Sequence, residues 1–233
     1  MKPYSDLSAI IQNGFSFKCE MPDGRGMLGV QDVNISTHQI GELILTSGRL
    51  LAWDLLMGPD ERYSFKQTLK PGNYPVIVSV ADFHPVGETR TACATLRISS
   101  EQVTNWRIAY TNDPSNEQNG EIDNYGVDSG TGSFMDVDAA RAFCDLVWWN
   151  PNDDKFEEYC DRVVGELEKN SFGDRGSSNW ANITLNDVTE ANIIVFSSGW
   201  GDGGYASYWG YSASGKLAAL TTDFALFPMV GAA

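Results

Sequence analysis

The amino-acid sequence predicts an α+β protein, mainly antiparallel β-sheet, with two amphipathic helices inserted in the second half. Three observations carry this. From Val30 to Tyr110, short apolar runs are broken by Gly, Pro, Asn and Ser. From Val137 to Leu167, the apolar spacing changes to three and four residues. From Trp180 onward, strand character returns.

Taken in order, the residues to Pro22 are weakly patterned, and Asp23–Gly26 reads as a turn. Val30–Ile35 alternates as a strand. Leu43–Leu45, Ser47-Gly48 and Leu50–Trp53 read as a hairpin, and Gly58–Glu61 as a loop. Lys70–Asn73 is a turn before Tyr74–Ala81, the most β-prone run, rich in Val and Ile. Thr91–Ile98 alternates, with Ala92, Ala94, Leu96 and Ile98 expected on one face. Val103–Tyr110 is a further strand. Asn112–Asn124 is polar and reads as a long surface loop. Strand character returns over Tyr125–Met135, around a Gly-rich kink.

Asp136 then stands where an N-cap belongs, before a helix carrying Val137, Ala140, Cys144, Val147 and Trp148. Asn150-Pro151 ends it. The second helix sets Phe156, Tyr159, Cys160, Val163, Val164 and Leu167 in one stripe. Glu157, Glu158, Asp161, Glu166 and Glu168 lie opposite. After the loop Ser171–Ser178 come strands at Trp180–Leu185 and Ile193–Ser197. A hairpin over Tyr205–Phe227 follows, turning at Ser212–Gly215. One domain over 1–233 is expected, because the terminal strands need a sheet to join. A subdivision would fall in the loop at 112–124.

A chain of 233 residues, 42% hydrophobic, can bury a core without disulfides or metal. Cys19, Cys93, Cys144 and Cys160 form no C-x-x-C pair. The first residues have no apolar stretch of secretory type, and no run of about 18 apolar residues exists. Together these predict a reducing cytoplasm and no membrane span. Net charge is −15, and it is concentrated: Asp113–Asp174 holds 16 acidic against 4 basic residues, a net of −12. Such a field repels nucleic acid and anionic membranes and attracts a basic protein or a cation. Solubility alone explains it equally well.

Five blocks carry a resemblance: Gly41-Glu42-Leu43 with Ser47-Gly48-Arg49, Pro71–Val76, Tyr125–Gly132, Gly201–Tyr205 and Thr222-Asp223-Phe224. In order and content the chain resembles a bacterial domain-of-unknown-function family, number 4241. The blocks run from Gly41 to Phe227. The resemblance implies a bacterial single-domain protein and supplies no activity and no catalytic residues.

Three candidate sites emerge. Val127–Asp136 sets small and hydroxylated residues between two acids, suited to a cation or polar ligand; a bulge at the glycines and a cap at Asp136 explain it as well. Gly199–Gly204 satisfies G-x-G-x-x-G, but a strand-like segment follows where a dinucleotide site needs a helix. It therefore reads as a wide loop. If Asp202 at its tip met Asp128 and Asp223, the three would form a metal or acid–base site. Trp200, Tyr205 and Trp209 would hold a flat ligand if they shared an open face. Alternation puts Tyr205, Trp209 and Tyr211 on one face and Tyr208 on the other, which packing explains. No G-x-S-x-G elbow, Walker loop, H-E-x-x-H or zinc spacing occurs, and only His38 and His84 are available as bases.

The first reading is thus a binding protein without metal or cofactor, monomeric or weakly dimeric. Its acidic helix, through Glu157, Glu158 and Asp161, would dock a basic partner as immunity proteins do. The alternative is a hydrolase or ligand-binding enzyme using Asp128, Asp202 and Asp223.

Overall fold

The structure is a computed structural model that describes residues 7–21, 29–113, 123–148, 155–173, 176–185 and 190–227. The Asp23–Gly26 turn, most of the 112–124 loop and the Asn150-Pro151 stop lie outside the described residues.

A short α1 (Leu7–Ile10) precedes strands β1 (Ser16–Met21), β2 (Gly29–Leu45), β3 (Leu50–Trp53), β4 (Gly72–His84) and β5 (Glu88–Arg97). Then come β6 (Val103–Ile108), β7 (Asn124–Val127), β8 (Thr131–Asp136), α2 (Val137–Phe143) with a wider turn over Cys144–Trp148, and α3 (Lys155–Lys169). The chain continues through β9 (Gly176–Ser177), β10 (Trp180–Thr184), β11 (Asn192–Ser197), β12 (Gly203–Ser212) and β13 (Leu217–Asp223). The fold class is α+β and rich in antiparallel strand, as the sequence predicts.

The strands form two sheets. The large one runs β1-β2-β4-β5-β13-β12-β6, with β7 also on β12 and the short β9 parallel to β5. The small one runs β10-β11-β8-β3. They pack face to face: Leu43, Leu45, Val76, Val78, Leu96, Trp209 and Leu220 of the large sheet meet Leu50, Phe134, Ile194 and Phe196 of the small one. The small sheet's other face, with Leu51, Met135, Ile193 and Val195, is covered by Ala140, Phe143, Val163 and Leu167 of the helices. The molecule is thus three layers deep. β11 lies in the middle layer, buried on both faces, which explains its unbroken apolar run Ile193–Phe196. Fully burying each such side chain contributes about 1.5–3 kcal/mol.

Three expectations need correction. Leu43–Leu45 and Leu50–Trp53 form no hairpin: β2 stays in the large sheet and β3 crosses to pair with β8. The chain turns at Gly48, whose φ of +77° and a virtual Cβ 2.2 Å from Leu69 O leave room for glycine alone. Second, Ala92 does not share a face with Ala94 and Leu96. The β4–β5 register skips it, so Ala92 packs with Phe83 on the outer face while Ala94 and Leu96 face inward. Third, Phe156 and Val164 of the expected stripe are exposed, at 36% and 43%. The α3 stripe is narrower: Val163 and Leu167 are buried, and Tyr159 packs edge-on against Phe143.

Candidate functional site

Two corners and a helix edge converge on one groove. The first corner, Asp128–Gly130, joins β7 in the large sheet to β8 in the small one. Asp54, at the end of β3, holds it. This fully buried carboxylate accepts from Asp128 N (2.9 Å), Ser129 N (2.8 Å), Ser129 Oγ (2.6 Å) and Leu56 N (3.1 Å). Gly130 follows with φ +70°. At Gly132 a Cβ would stand 2.6 Å from Tyr125 Oη, so the strand passes hard against that ring.

The second corner is the loop Gly199–Gly204. The Tyr205 hydroxyl reaches Gly201 O at 2.7 Å and Ser198 O at 3.2 Å, folding the loop over its own strand. Ser198 N donates to Gly130 O at 3.1 Å, joining the two corners. Trp200 packs against Phe83, donates its Nε1 to Leu226 O at 3.3 Å and carries the Arg90 guanidinium over its ring at 5.1 Å. Arg90 is in turn paired with Glu88, so its charge is compensated. No helix follows the glycines; β12 begins at Gly203, as the loop reading expects.

Between these corners and the edge of α3 lies a groove of about 350 Å³. Ser129, Thr131, Ser198, Val164, Leu167 and Glu168 stand along it. Val127 pairs with Gly203, so the exposed Asp128 and Asp202 follow that last pair at one end of the two strands. The groove lining is hydroxylated and carries Arg90 and Glu168, and the carboxylates of Asp128 and Asp202 adjoin it in sequence.

Asp223 does not join them. It lies on β13, opposite Ala206 on β12 and Cys93 on β5. Among the described residues no group of three His, Cys, Asp or Glu side chains could hold a metal ion. The condition on which Asp128, Asp202 and Asp223 would form a metal site is therefore not met among the described residues. Burial raises the Asp223 carboxyl above its ordinary value, partly offset by the N–H of Ala225. The aromatics pack, as the alternation reading has it, and form no open platform. Tyr205 and Trp209 are buried between the sheets, while Trp200 packs with Phe83 on the outer side of the large sheet. Alternation had separated Tyr208 from Tyr211, and the structure does the same.

Glu157, Glu158 and Asp161 are exposed on α3. His38 stacks on Phe172 at 4.1 Å and shares a hydrogen bond with Ser36; burial lowers its pKa. Cys93 is fully buried and its thiol is pushed up to about 12, so it is an inert packing residue. Asp136 is the predicted N-cap, accepting from Asp138 N at 2.9 Å. It also accepts from Ser47 N, Ser47 Oγ and Gly48 N, clamping the β2–β3 corner. Asp54 and Asp123 were not singled out by sequence reading. Asp54 had a visible signal: an acid set between Leu51-Ala52-Trp53 and Leu55-Leu56.

Among the described residues no helix is long and apolar enough to cross a membrane. No curated protein and no solved structure matches the chain. A family model matches residues 43–222, the span that holds the small sheet, both corners and α3, and the chain therefore belongs to the family described as protein of unknown function (DUF4241).

Proposed function

We propose that the chain is a cytoplasmic bacterial binding protein of the immunity type, docking a basic protein surface through the outer face of α3 and the adjoining groove. The observation that supports this is the composition of that face. Glu157, Asp161, Val164 and Glu168 follow at spacings of four, three and four, so they form one stripe, and all four are exposed. Helix amphipathicity normally keeps valine off such a stripe. An exposed apolar residue ringed by carboxylates suits a basic partner with an apolar centre. Val164 and Glu168 also line the groove, where Arg90 is paired with Glu88, and the exposed Asp128 and Asp202 adjoin Ser129 and Gly201 of its lining. The four free cysteines fit a reducing compartment.

Charge steering acts through a field screened over about 8 Å at physiological ionic strength. Association should therefore be fast at low salt and slow steeply as salt rises. Reversing Glu157, Glu158 and Asp161 to Lys together should lower the on-rate and leave the fold intact. Affinity capture from the source cell, followed by kinetics on the captured protein, reads this out. A neutral or acidic partner, or an on-rate indifferent to salt and to the triple reversal, would leave the charge with solubility as its only role.

A further inference from the structure

The outer face of the large sheet carries a second cavity, about 390 Å³, sharing no residue with the groove. Its floor crosses adjacent strands through Thr37, Ser79, Thr95 and Ala219. The inner face of the same sheet carries Val76, Val78, Leu96 and Leu220. Small and hydroxylated residues, with Ile77 among them, thus stand on one side where large apolar ones stand on the other. A hollow results, and its base is part hydroxylated and part apolar.

One wall is the segment around α1, and it is tied down. Trp106 Nε1 donates to Ser8 Oγ at 2.9 Å, Thr37 N to Asn13 Oδ1 at 3.0 Å, and Gly14 N to Ile35 O at 2.8 Å. The turn after β5 forms another wall, with Ser99 and Glu101. The cavity therefore exists before any ligand arrives, as small-molecule sites usually do.

Two charged side chains line it, Arg97 and Glu101. Glu101 is occupied. It accepts from Ser214 Oγ at 2.8 Å and Lys216 Nζ at 3.0 Å, and hydrogen bonds from Ser212, Lys216 and Ser214 hold its carboxyl down at about 2. Arg97, exposed at the cavity, has no ion pair and no hydrogen bond among the described residues. A chain with 31 acidic against 16 basic residues has acids to spare, yet none among the described residues is placed on this guanidinium. Its planar fork of donors matches a carboxylate or phosphate with two parallel hydrogen bonds.

We propose that this cavity binds a small hydroxylated molecule bearing one oxyanion, a sugar phosphate or a sugar acid, with the oxyanion on Arg97 and its hydroxyls over Thr37, Thr95 and Ser99. Its volume, near the low end for small-molecule sites, fits a single sugar ring better than a nucleotide. The net charge of the chain does not forbid this, because exposed charges beyond about 8 Å are largely screened. The site stands independently of the α3 docking surface.

The test is an NMR titration of the full chain with four probes: glucose 6-phosphate, gluconate, inorganic phosphate and glucose. The proposal expects glucose 6-phosphate or gluconate to shift the amides of Thr95–Gln102, and which of them binds tighter names the oxyanion. Inorganic phosphate should bind more weakly and glucose not at all. Arg97→Gln should weaken binding by about tenfold or more, the loss expected for a charge-assisted pair, with Tm unchanged. Arg97→Lys should keep part of the affinity. Shifts confined to other surfaces, equal binding by glucose, equal binding by Arg97→Gln, or no response to either anion at about 10 mM would each overturn it.

Discussion

Asp54 and Asp136 are both fully buried, and both carboxylates are filled by donors from the chain's own corners. Asp54→Ala would strand the N–H groups of Asp128 and Ser129 and lose bonds to a charged acceptor. It should cost about 3 kcal/mol or more in a denaturant titration. Asp202→Ala at the exposed loop tip should stay within about 0.5 kcal/mol. Gly132→Ala forces a methyl against Tyr125 and should cost about 1–3 kcal/mol. Asp223 supplies one part of the pH dependence. Its folded pKa is raised, so above the ordinary value of 3.8 the folded chain holds a proton that the unfolded chain has released. Its contribution to stability should fall as pH rises through that window, opposing the gain from carboxyls held low such as Glu101, and Asp223→Asn should remove that contribution. Equal slopes in urea titrations of the two proteins across pH would contradict the assignment. At this scale the sequence was legible where the signal is local, as at the Asp136 cap. It was legible only in part for Asp54: its apolar flanks mark it, but its partners Asp128 and Ser129 lie more than seventy residues away.

At the scale of elements, local alternation finds most strands and loses the face only where a bulge intervenes. In β2, Val33 and Ile35 face outward but Leu43 and Leu45 face inward, although all four numbers are odd. The β2–β4 register shifts at Ile40, and one extra residue turns the strand over. Ala92 does the same in β5. Nothing in a period of two announces either bulge, because the cause lies in the partner strand. The false hairpin has a related origin: pattern gives a strand's period, not which sheet it joins. Helical period proved more informative, since Val163 and Leu167 are buried where the stripe puts them. Leu167→Ala should cost about 2–5 kcal/mol by leaving a cavity beneath α3. Glu158→Lys on the exposed side should change stability by no more than about 0.5 kcal/mol. The opposite ranking would put α3 on its other face.

At the scale of the whole molecule, hydrogen bonds as well as apolar contact join the two sheets. Asn192 of β11 reaches across the sandwich, accepting from Ile44 N at 2.8 Å and donating to Glu42 O at 2.9 Å. Asp54 and Asp136 close the corners where the chain passes between the layers. Apolar contact alone has no direction and tolerates sliding; these bonds do not. Amides of β4 and β11 should therefore exchange with solvent through the same opening, at the free energy of global unfolding. In Asp54→Ala, β11 should open at lower cost than β4. Unequal protection of the two strands in the unaltered protein would show that the layers part separately. Joint opening has a consequence for the cell. The Asn192–Ser197 segment is short, uncharged and strongly β-prone, the kind of sequence that seeds cross-β association. If β4 and β11 open together as expected, that segment meets another copy of itself only after complete unfolding, and the hydrogen bonds that hold the layers in register then also guard against aggregation.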